Sequence, residues 1–335
     1  MPPAPLVDPY GRTVRDLRIS VTDRCNFRCT YCMPQEGMNW LPRDELLTYE
    51  EMARVARVCV ERFGFDGIRI TGGEPTVRAH LPVLIEKLAA LRVPGTGDPV
   101  DVAMTTNGAT LGLLAHDLRV AGLQRINVSC DSLRPDRFEA ITRRGQLDRV
   151  LDGIRAARDA GFDPVKVNVV TVRGVNEDEV VDFAAFGRET GVQPRFIEFM
   201  PLDADGAWSM DQVVPSEEVV AAIDAVFPLE PVVHGPEPAA RYRYRDGRGE
   251  IGVIASVTQP FCGACDRIRI TAEGQLRNCL FAVRETDLRT ILRGGGSDDQ
   301  LAAAIEGDVA QKWAGHRIGQ VDFIRPPRSM SQIGG

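Results

Sequence analysis

The chain has 335 residues, 44% of them hydrophobic and 26% charged, with a formal net charge of −7. That is an ordinary globular composition, with Gly and Pro at about 16% against the roughly 25–30% that marks low complexity, and the length suggests about two domains. No run of about 18 uncharged apolar residues exists, so no membrane helix is expected; residues 1–12 lack a secretory apolar core, and the acidic balance argues against broad nucleic-acid binding.

In chain order, the pattern alternates strands with helices. Strands are predicted at 17–22, 68–71, 100–105, 125–129, 165–172 and 195–200. Helices are predicted at about 49–63, 77–92, 111–121, 147–160 and 176–190. The first helix opens on Thr48 and Glu51, an S/T-x-x-E capping signature, and lines up Met52, Val55, Ala56, Cys59 and Phe63 on one face. Gly64, Gly122, Gly161 and Gly191 stand where helix C-caps belong. Strand–helix alternation implies parallel βαβ units and an α/β fold.

Within the strands, Leu17, Ile19 and Val21 share one face while Arg18, Ser20 and Thr22 share the other. Ile68 and Ile70 oppose Arg69 and Thr71; Ile126 and Val128 oppose Asn127 and Ser129; Val165, Val167 and Val169 oppose Lys166 and Asn168. Parallel strands buried on both faces are almost uniformly apolar. One greasy and one polar face favour an incomplete (βα)6 TIM-like barrel with a ligand-filled interior over a doubly wound sheet. Arg18, Arg69 and Lys166 in one lumen call for an anion.

After Met200 the rhythm breaks. Pro228, Pro231, Gly235, Pro236 and Pro238 accumulate, followed by a strand at 251–256 and a hairpin turning at Glu273-Gly274. The expected division is 1–205 for the barrel and 206–335 for an α+β region closing its mouth. The terminal Gly334-Gly335 is expected to be mobile by default.

The chain has eight cysteines, far too few for a disulfide scaffold, and with no secretory signal they should stay reduced in the cytoplasm. Cys59 and Cys130 read as small buried hydrophobes. Cys25, Cys29 and Cys32 are spaced C-x3-C-x2-C directly after the first strand, at the C-terminal mouth where barrel enzymes keep their sites. Cys262, Cys265 and Cys279 are spaced C-x2-C-x13-C. Each triple is one ligand short of a closed zinc site, and none of the four histidines (His80, His116, His234, His316) lies beside either. A cubane iron–sulfur cluster takes up to four thiolates; with three, one iron stays open for a small molecule. A zinc site with a distant fourth ligand remains open for the second triple.

The segment Cys25-Asn26-Phe27-Arg28-Cys29-Thr30-Tyr31-Cys32, with an aromatic before its last cysteine, resembles the radical S-adenosylmethionine superfamily. Thr71-Gly72-Gly73-Glu74-Pro75 resembles that superfamily's GGEP motif, whose glycines let backbone approach a ligand closely. From about Asp16 to the Gly-Gly end, the chain resembles the GTP 3′,8-cyclase family, molybdenum cofactor biosynthesis protein A. The likeness rests on TDRCNFRCTYCMP, RITGGEP, TTNG, INVS, FCGAC-x13-C, RIRIT and the terminal GG. The second triple and the tail separate it from radical enzymes that share only the first motif.

The resemblance implies two [4Fe–4S] clusters. Cys25, Cys29 and Cys32 would hold the one that generates the radical, and Cys262, Cys265 and Cys279 the one that meets guanine. It implies S-adenosyl-L-methionine contacts at Tyr31, Gly73, Ser129 and Met200, and GTP contacts at Arg18, Arg69, Thr105, Lys166, Arg267, Ile268 and Arg269, of which Arg267 and Arg269 are also catalytic. Arg267 and Arg269 alternate onto one strand face, a fork for phosphate oxygens. The tail would enter the pocket. The implied partners are GTP, a reductant protein such as a flavodoxin or ferredoxin, and a downstream pterin-forming enzyme; a homodimer is allowed. The alternatives are another radical S-adenosylmethionine enzyme with an auxiliary cluster, such as a peptide-modifying one, and a zinc-stabilised binding module.

Overall fold

Leu17 and Ile19 are wholly buried while Arg18 between them turns to the opposite face, so the alternation read in the sequence becomes the first strand of a large sheet. The computed structural model describes residues 3–34, 36–233, 235 and 237–334; His234, Pro236 and Gly335, named above, lie outside them. Strands β1 (Asp16–Ser20), β2 (Gly67–Thr71), β3 (Asp101–Thr106), β4 (Arg125–Ser129), β5 (Lys166–Thr171) and β6 (Gln193–Glu198) pair in sequence order, all parallel. Between them run α1 (Tyr49–Phe63), α2 (Leu81–Ala89), α3 (Leu111–Val120), α4 (Pro135–Thr142), α5 (Leu147–Asp159) and α6 (Val180–Thr190).

Helix α1 starts on the expected reciprocal cap, with Glu51 N donating to Thr48 Oγ1 at 3.1 Å and Thr48 N donating to Glu51 Oε2 at 2.7 Å. It ends at Gly64, whose φ of 71° suits a residue without Cβ. Helix α4 has no counterpart in the sequence reading. It is short, starts on Pro135, and buries only Phe138, Ile141 and Thr142. Cys59 and Cys130 are buried in the core, as expected.

Six strands do not complete the sheet. From the second half of the chain come β7 (Leu229–Val232), β8 (Ala240–Tyr244), β9 (Glu250–Ile254), β10 (Arg267–Ile270), β11 (Gln275–Arg277) and β12 (Thr286–Asp287). The order is β12-β11-β10-β1-β2-β3-β4-β5-β6-β9-β8-β7. Strands β9 and β10 run parallel to β6 and β1, so the parallel run is extended at both edges. Each edge then finishes on antiparallel strands, and the sheet stays open. The hairpin at Glu273-Gly274 forms as predicted, with Gly274 at φ 91°. Helices α7 (Ser216–Asp224), α8 (Leu288–Arg293), α9 (Asp298–Val309) and α10 (Met330–Ile333) belong to this half. No helix among the described residues is long and apolar enough to cross a membrane.

Glu198, at the end of β6, joins the two halves. Its buried carboxylate accepts from Ser216 N at 3.0 Å, Val257 N at 2.7 Å, Thr258 N at 2.8 Å and Thr258 Oγ1 at 2.6 Å. Glu198→Ala would leave three backbone donors unpaired, at about 1–3 kcal/mol each for those that water cannot reach. We expect a melting temperature lower by roughly 5–10 °C in a circular-dichroism melt, with Glu198→Gln recovering part of the loss.

Candidate active site

The loop after β1 is clamped from two sides. Gly73 N donates to Thr22 O at 2.7 Å and Glu74 N to Arg24 O at 2.8 Å, while Arg28 N and Thr30 N donate to Thr142 O and Ile141 O at the end of α4. The clamp presents Cys25, Cys29 and Cys32, half-buried and free of disulfides. Phe27 N donates to Cys25 Sγ at 3.3 Å, and Asn107 Nδ2 stands 3.7 Å from the same sulfur. Burial pushes the Cys25 thiol up to about 11 and Cys32 to about 12, and raises Cys29 as well. Cys29 and Cys32 are raised further by neighbouring cysteine charges, and Cys25 by Glu74. No three His, Cys, Asp or Glu side chains among the described residues converge to hold a single metal ion; a cubane, in which each thiolate binds its own iron, makes no such demand.

The Gly-Gly turn has a different physical reason from the one expected. A Cβ on Gly73 would stand 2.4 Å from Arg24 O, and one on Gly72 2.5 Å from Thr22 O. The close approach is to the cysteine loop itself, not only to a ligand. Glu74 then ties this turn to the next. Its buried carboxylate accepts from Thr76 N at 3.0 Å, Thr76 Oγ1 at 2.5 Å, Thr106 Oγ1 at 2.6 Å and Asn107 N at 2.6 Å. Asn107 in turn donates to Asn26 Oδ1 at 2.7 Å, beside Cys25.

Tyr31, Gly73, Ser129 and Met200 all come to this C-terminal end. Tyr31 donates to the buried Asp131 at 2.5 Å beside a cavity of about 250 Å³ that Val170, Phe199 and Trp208 also line. Ser129 ends β4, and half-buried Met200 follows β6.

The second triple lies at the opposite end. Cys265 precedes β10, which runs parallel to β1, and Cys279 follows β11, which runs back, so both stand at the N-terminal end of the barrel. Burial of Cys265 opposes its ionisation, yet Lys312, Arg267 and Arg269 bring it below the ordinary thiol value. From the level of Arg267 and Asp16 to that of Ser20 is four residues of strand, or roughly 13 Å at about 3.3 Å per residue.

That interval is basic. The register aligns Arg269 with Arg18 and Arg69, Thr105 with Asn127, Asn127 with Lys166, and Asn168 with Arg195. Burial lowers Arg18 to about 9, with Arg69 and Arg267 adding repulsion. Burial lowers Arg69 and Arg195 to about 10, and takes Arg269 well down with help from Arg18 and Arg267. Arg18 Nε, Arg69 Nε, Arg195 Nε and Arg267 Nη2 are buried without a hydrogen-bond partner among the described residues. Turned so that its oxygen faces Arg69, the Asn127 amide accepts from Arg69 Nη1 at 2.7 Å. Such a set of donors is stable only around an anion.

One expected contact residue departs from the lumen. Ile268 pairs with Leu17 and is buried in the core on the outer face of β10, because period-two alternation puts it opposite Arg267 and Arg269. Arg125 and Arg195 join the lumen without having been singled out: each opens its strand as predicted from the sequence (125–129 and 195–200), although Arg195 is the third residue of β6 itself. The tail is not frayed up to Gly334. Ile333 is buried in a small core with Leu202, Val213 and Phe281, and Gly334 O accepts from Arg269 Nη1 at 3.2 Å.

Comparison with known proteins agrees with this geometry. The Radical SAM superfamily profile matches residues 19–187, and the Molybdenum Cofactor Synthesis C profile matches residues 192–318. A GTP 3′,8-cyclase of Mycolicibacterium smegmatis is 47% identical over 99% of this chain and 92% of its own length. One of Corynebacterium glutamicum is 46% identical over 100% of this chain and 92% of its own. The chain belongs to the GTP 3′,8-cyclase family. Solved structures share the fold of this family member at low identity. Streptococcus suis SuiB bound to S-adenosylmethionine is 13% identical with a TM-score of 0.58, covering 89% of this chain and 69% of that one. Native anSMEcpe with bound AdoMet is 14% identical with a TM-score of 0.57, covering 85% and 81%.

Proposed function

We propose that the chain performs the radical S-adenosylmethionine-dependent cyclisation of GTP to (8S)-3′,8-cyclo-7,8-dihydroguanosine 5′-triphosphate, the first step of molybdenum cofactor biosynthesis. The observation that carries this reading is the file of cationic side chains with unpaired buried N–H groups between two cysteine triples at opposite ends of one barrel. When bound to Cys25, Cys29 and Cys32, a [4Fe–4S] cluster with S-adenosylmethionine supplies the radical chemistry. The chain's own residues bind and orient. Arg18, Arg69, Arg267 and Arg269 hold the triphosphate, Thr105 and Lys166 add contacts along the lumen, and Ile268 contributes backbone only. Tyr31, Gly73, Ser129 and Met200 frame S-adenosylmethionine. Cys262, Cys265 and Cys279 hold a second [4Fe–4S] cluster that anchors guanine, so the ribose is fixed between two ends. In this reading residues 1–205 form the radical-generating domain and 206–335 the region that carries the second cluster and the tail. The protein works in the cytoplasm with a flavodoxin- or ferredoxin-like reductant and passes its product to a pterin-forming enzyme.

Anaerobic incubation with GTP, S-adenosylmethionine and dithionite tests this directly. A nucleotide with a C3′–C8 bond is expected; a product without that bond overturns the reading.

Lys166 gives a pH signature. Burial lowers it to about 7, with Arg195, Arg125 and Arg69 adding repulsion and Glu237 opposing. Between pH 7 and its unfolded value the native chain holds fewer protons than the unfolded one, so Lys166 makes the free protein more stable as pH rises. A bound triphosphate favours the ammonium, so binding takes up a proton in that range. We expect GTP affinity to fall from pH 7.5 to 9 by up to about tenfold per unit. Calorimetry in buffers of different ionisation enthalpy should detect the proton uptake, and Lys166→Met should remove it.

A further inference from the structure

We propose that Lys312 is a positioning residue for the second cysteine triple, joining its two arms and supplying the positive charge that balances what the cysteines bind. The proposal rests on the reading of Cys262, Cys265 and Cys279 as cluster ligands.

The triple is discontinuous. Cys262 and Cys265 sit on the loop that enters β10, and Cys279 follows β11, which leaves it; the β10–β11 pairing ends at Arg269 and Arg277, so the two arms beyond it are joined by other contacts. Lys312, just beyond α9, is 4% exposed. Its Nζ donates to Arg267 O at 2.9 Å on one arm and to Asn278 O on the other, and stands 3.8 Å from Cys265 Sγ. Three donors of one ammonium therefore reach both arms and one sulfur. Asn278 is fixed from its other side, its Nδ2 donating to Asp308 O at 2.8 Å.

The remaining cysteine is held by the same stretch of chain. Arg12, itself buried and paired with Asp8 at 2.5 Å, donates to Cys262 O at 2.6 Å, Ala314 O at 2.8 Å and Trp313 O at 2.5 Å. A Cβ on Gly315 would stand 2.9 Å from Cys262 Cβ and 3.4 Å from its sulfur, so Gly315 packs directly against the Cys262 side chain. Residues 312–315 thus back all three cysteines.

The charge carries the argument further than the hydrogen bonds do. No carboxylate lies within ion-pair distance of Lys312 among the described residues, although the chain forms many such pairs elsewhere. Neutral donors would satisfy the two carbonyls equally well. Burying an ammonium without a carboxylate in direct contact is costly, and the charges that oppose the cost here are the Cys265 sulfur at 3.8 Å and, beyond ion-pair distance, Asp308. Positive charge and N–H donors beside cluster sulfurs also raise a cluster's reduction potential.

The test uses the full chain reconstituted anaerobically with iron and sulfide, as wild type, Lys312→Gln and Lys312→Arg. Gln keeps N–H donors without charge, and Arg keeps the charge. Wild type should hold about eight irons in two cubanes; about four would overturn the two-cluster reading and this proposal with it. With eight in wild type, Lys312→Gln should either hold about half the iron or show a second-cluster paramagnetic signal at a lower reduction potential. Lys312→Arg should restore both. Gln indistinguishable from wild type, or Arg as defective as Gln, overturns the proposal and leaves the two-cluster reading intact. If circular dichroism shows that the Gln chain does not fold, Arg decides alone: eight irons with an unshifted potential support the counter-charge, and four overturn it.

Discussion

Glu74→Ala is expected to remove S-adenosylmethionine binding and to lower stability more than any other single change at the C-terminal mouth. The carboxylate is 1% exposed and accepts four hydrogen bonds from three residues on two loops. The hydroxyls of Thr76 and Thr106 can turn to other acceptors, but the N–H groups of Thr76 and Asn107 cannot. Leaving both unpaired in a buried site amounts to about 2–5 kcal/mol. Asn107 would lose its register and with it the bonds toward Asn26 and Cys25. Glu74→Gln keeps one acceptor and should retain part of the stability. The measurements are equilibrium binding of S-adenosylmethionine and a thermal melt. Wild-type binding by the Ala variant would mean that the two turns hold the cysteine loop without Glu74. Gly112→Ala is the control: it lies in α3 with nothing within 4 Å of a new Cβ, and should be neutral or slightly stabilising.

Arg18→Met is expected to act in opposite directions on stability and on substrate binding. Arg18 is buried among Arg69 and Arg267, its Nε has no hydrogen-bond partner, and Asp16 Oδ1 is 3.6 Å away, too far for one. A methionine of similar length would relieve the repulsion and the desolvation. The ligand-free chain should gain about 1–4 kcal/mol, the range seen when buried charges give way to packed apolar groups. GTP should bind about 10- to 150-fold more weakly, from the loss of one charge-assisted contact of about 1.5–3 kcal/mol. A melt without nucleotide and a binding titration with GTP separate the two effects. A variant that loses both would show that Arg18 supports the barrel itself. The expected outcome, stability gained and affinity lost, is the mark of a site kept strained for its ligand.

Much of this site was legible because its parts are local. Cysteine spacing is a property of a few consecutive residues, and strand alternation needs only four or five, so the triples and the polar lumen faces of β1, β2, β4 and β5 could be read directly. Ile268 shows the limit. It lies inside a matched motif, and only the alternation of β10 tells its side chain from those of its two arginine neighbours. Arg125 and Arg195 show another limit, since each opens its strand as predicted from the sequence, with too little pattern before it to assign a face. Helix α4 was missed because eight residues with three buried side chains give a weak period.

The sequence by itself determined the α/β class, the spacing of the two cysteine triples, the basic lumen and the buried character of Cys59 and Cys130, because each rests on spacing or period. Only the tertiary structure decided that β9 and β10 extend the barrel at opposite edges, which puts the second triple at the far end of the lumen from the first. It alone revealed that Gly72 and Gly73 are small because the cysteine loop crosses them, and that Lys312 faces the sulfur of Cys265, 47 residues earlier in the chain. Those facts depend on strand pairing and backbone approach between segments far apart in the chain, for which a single sequence carries no local signal.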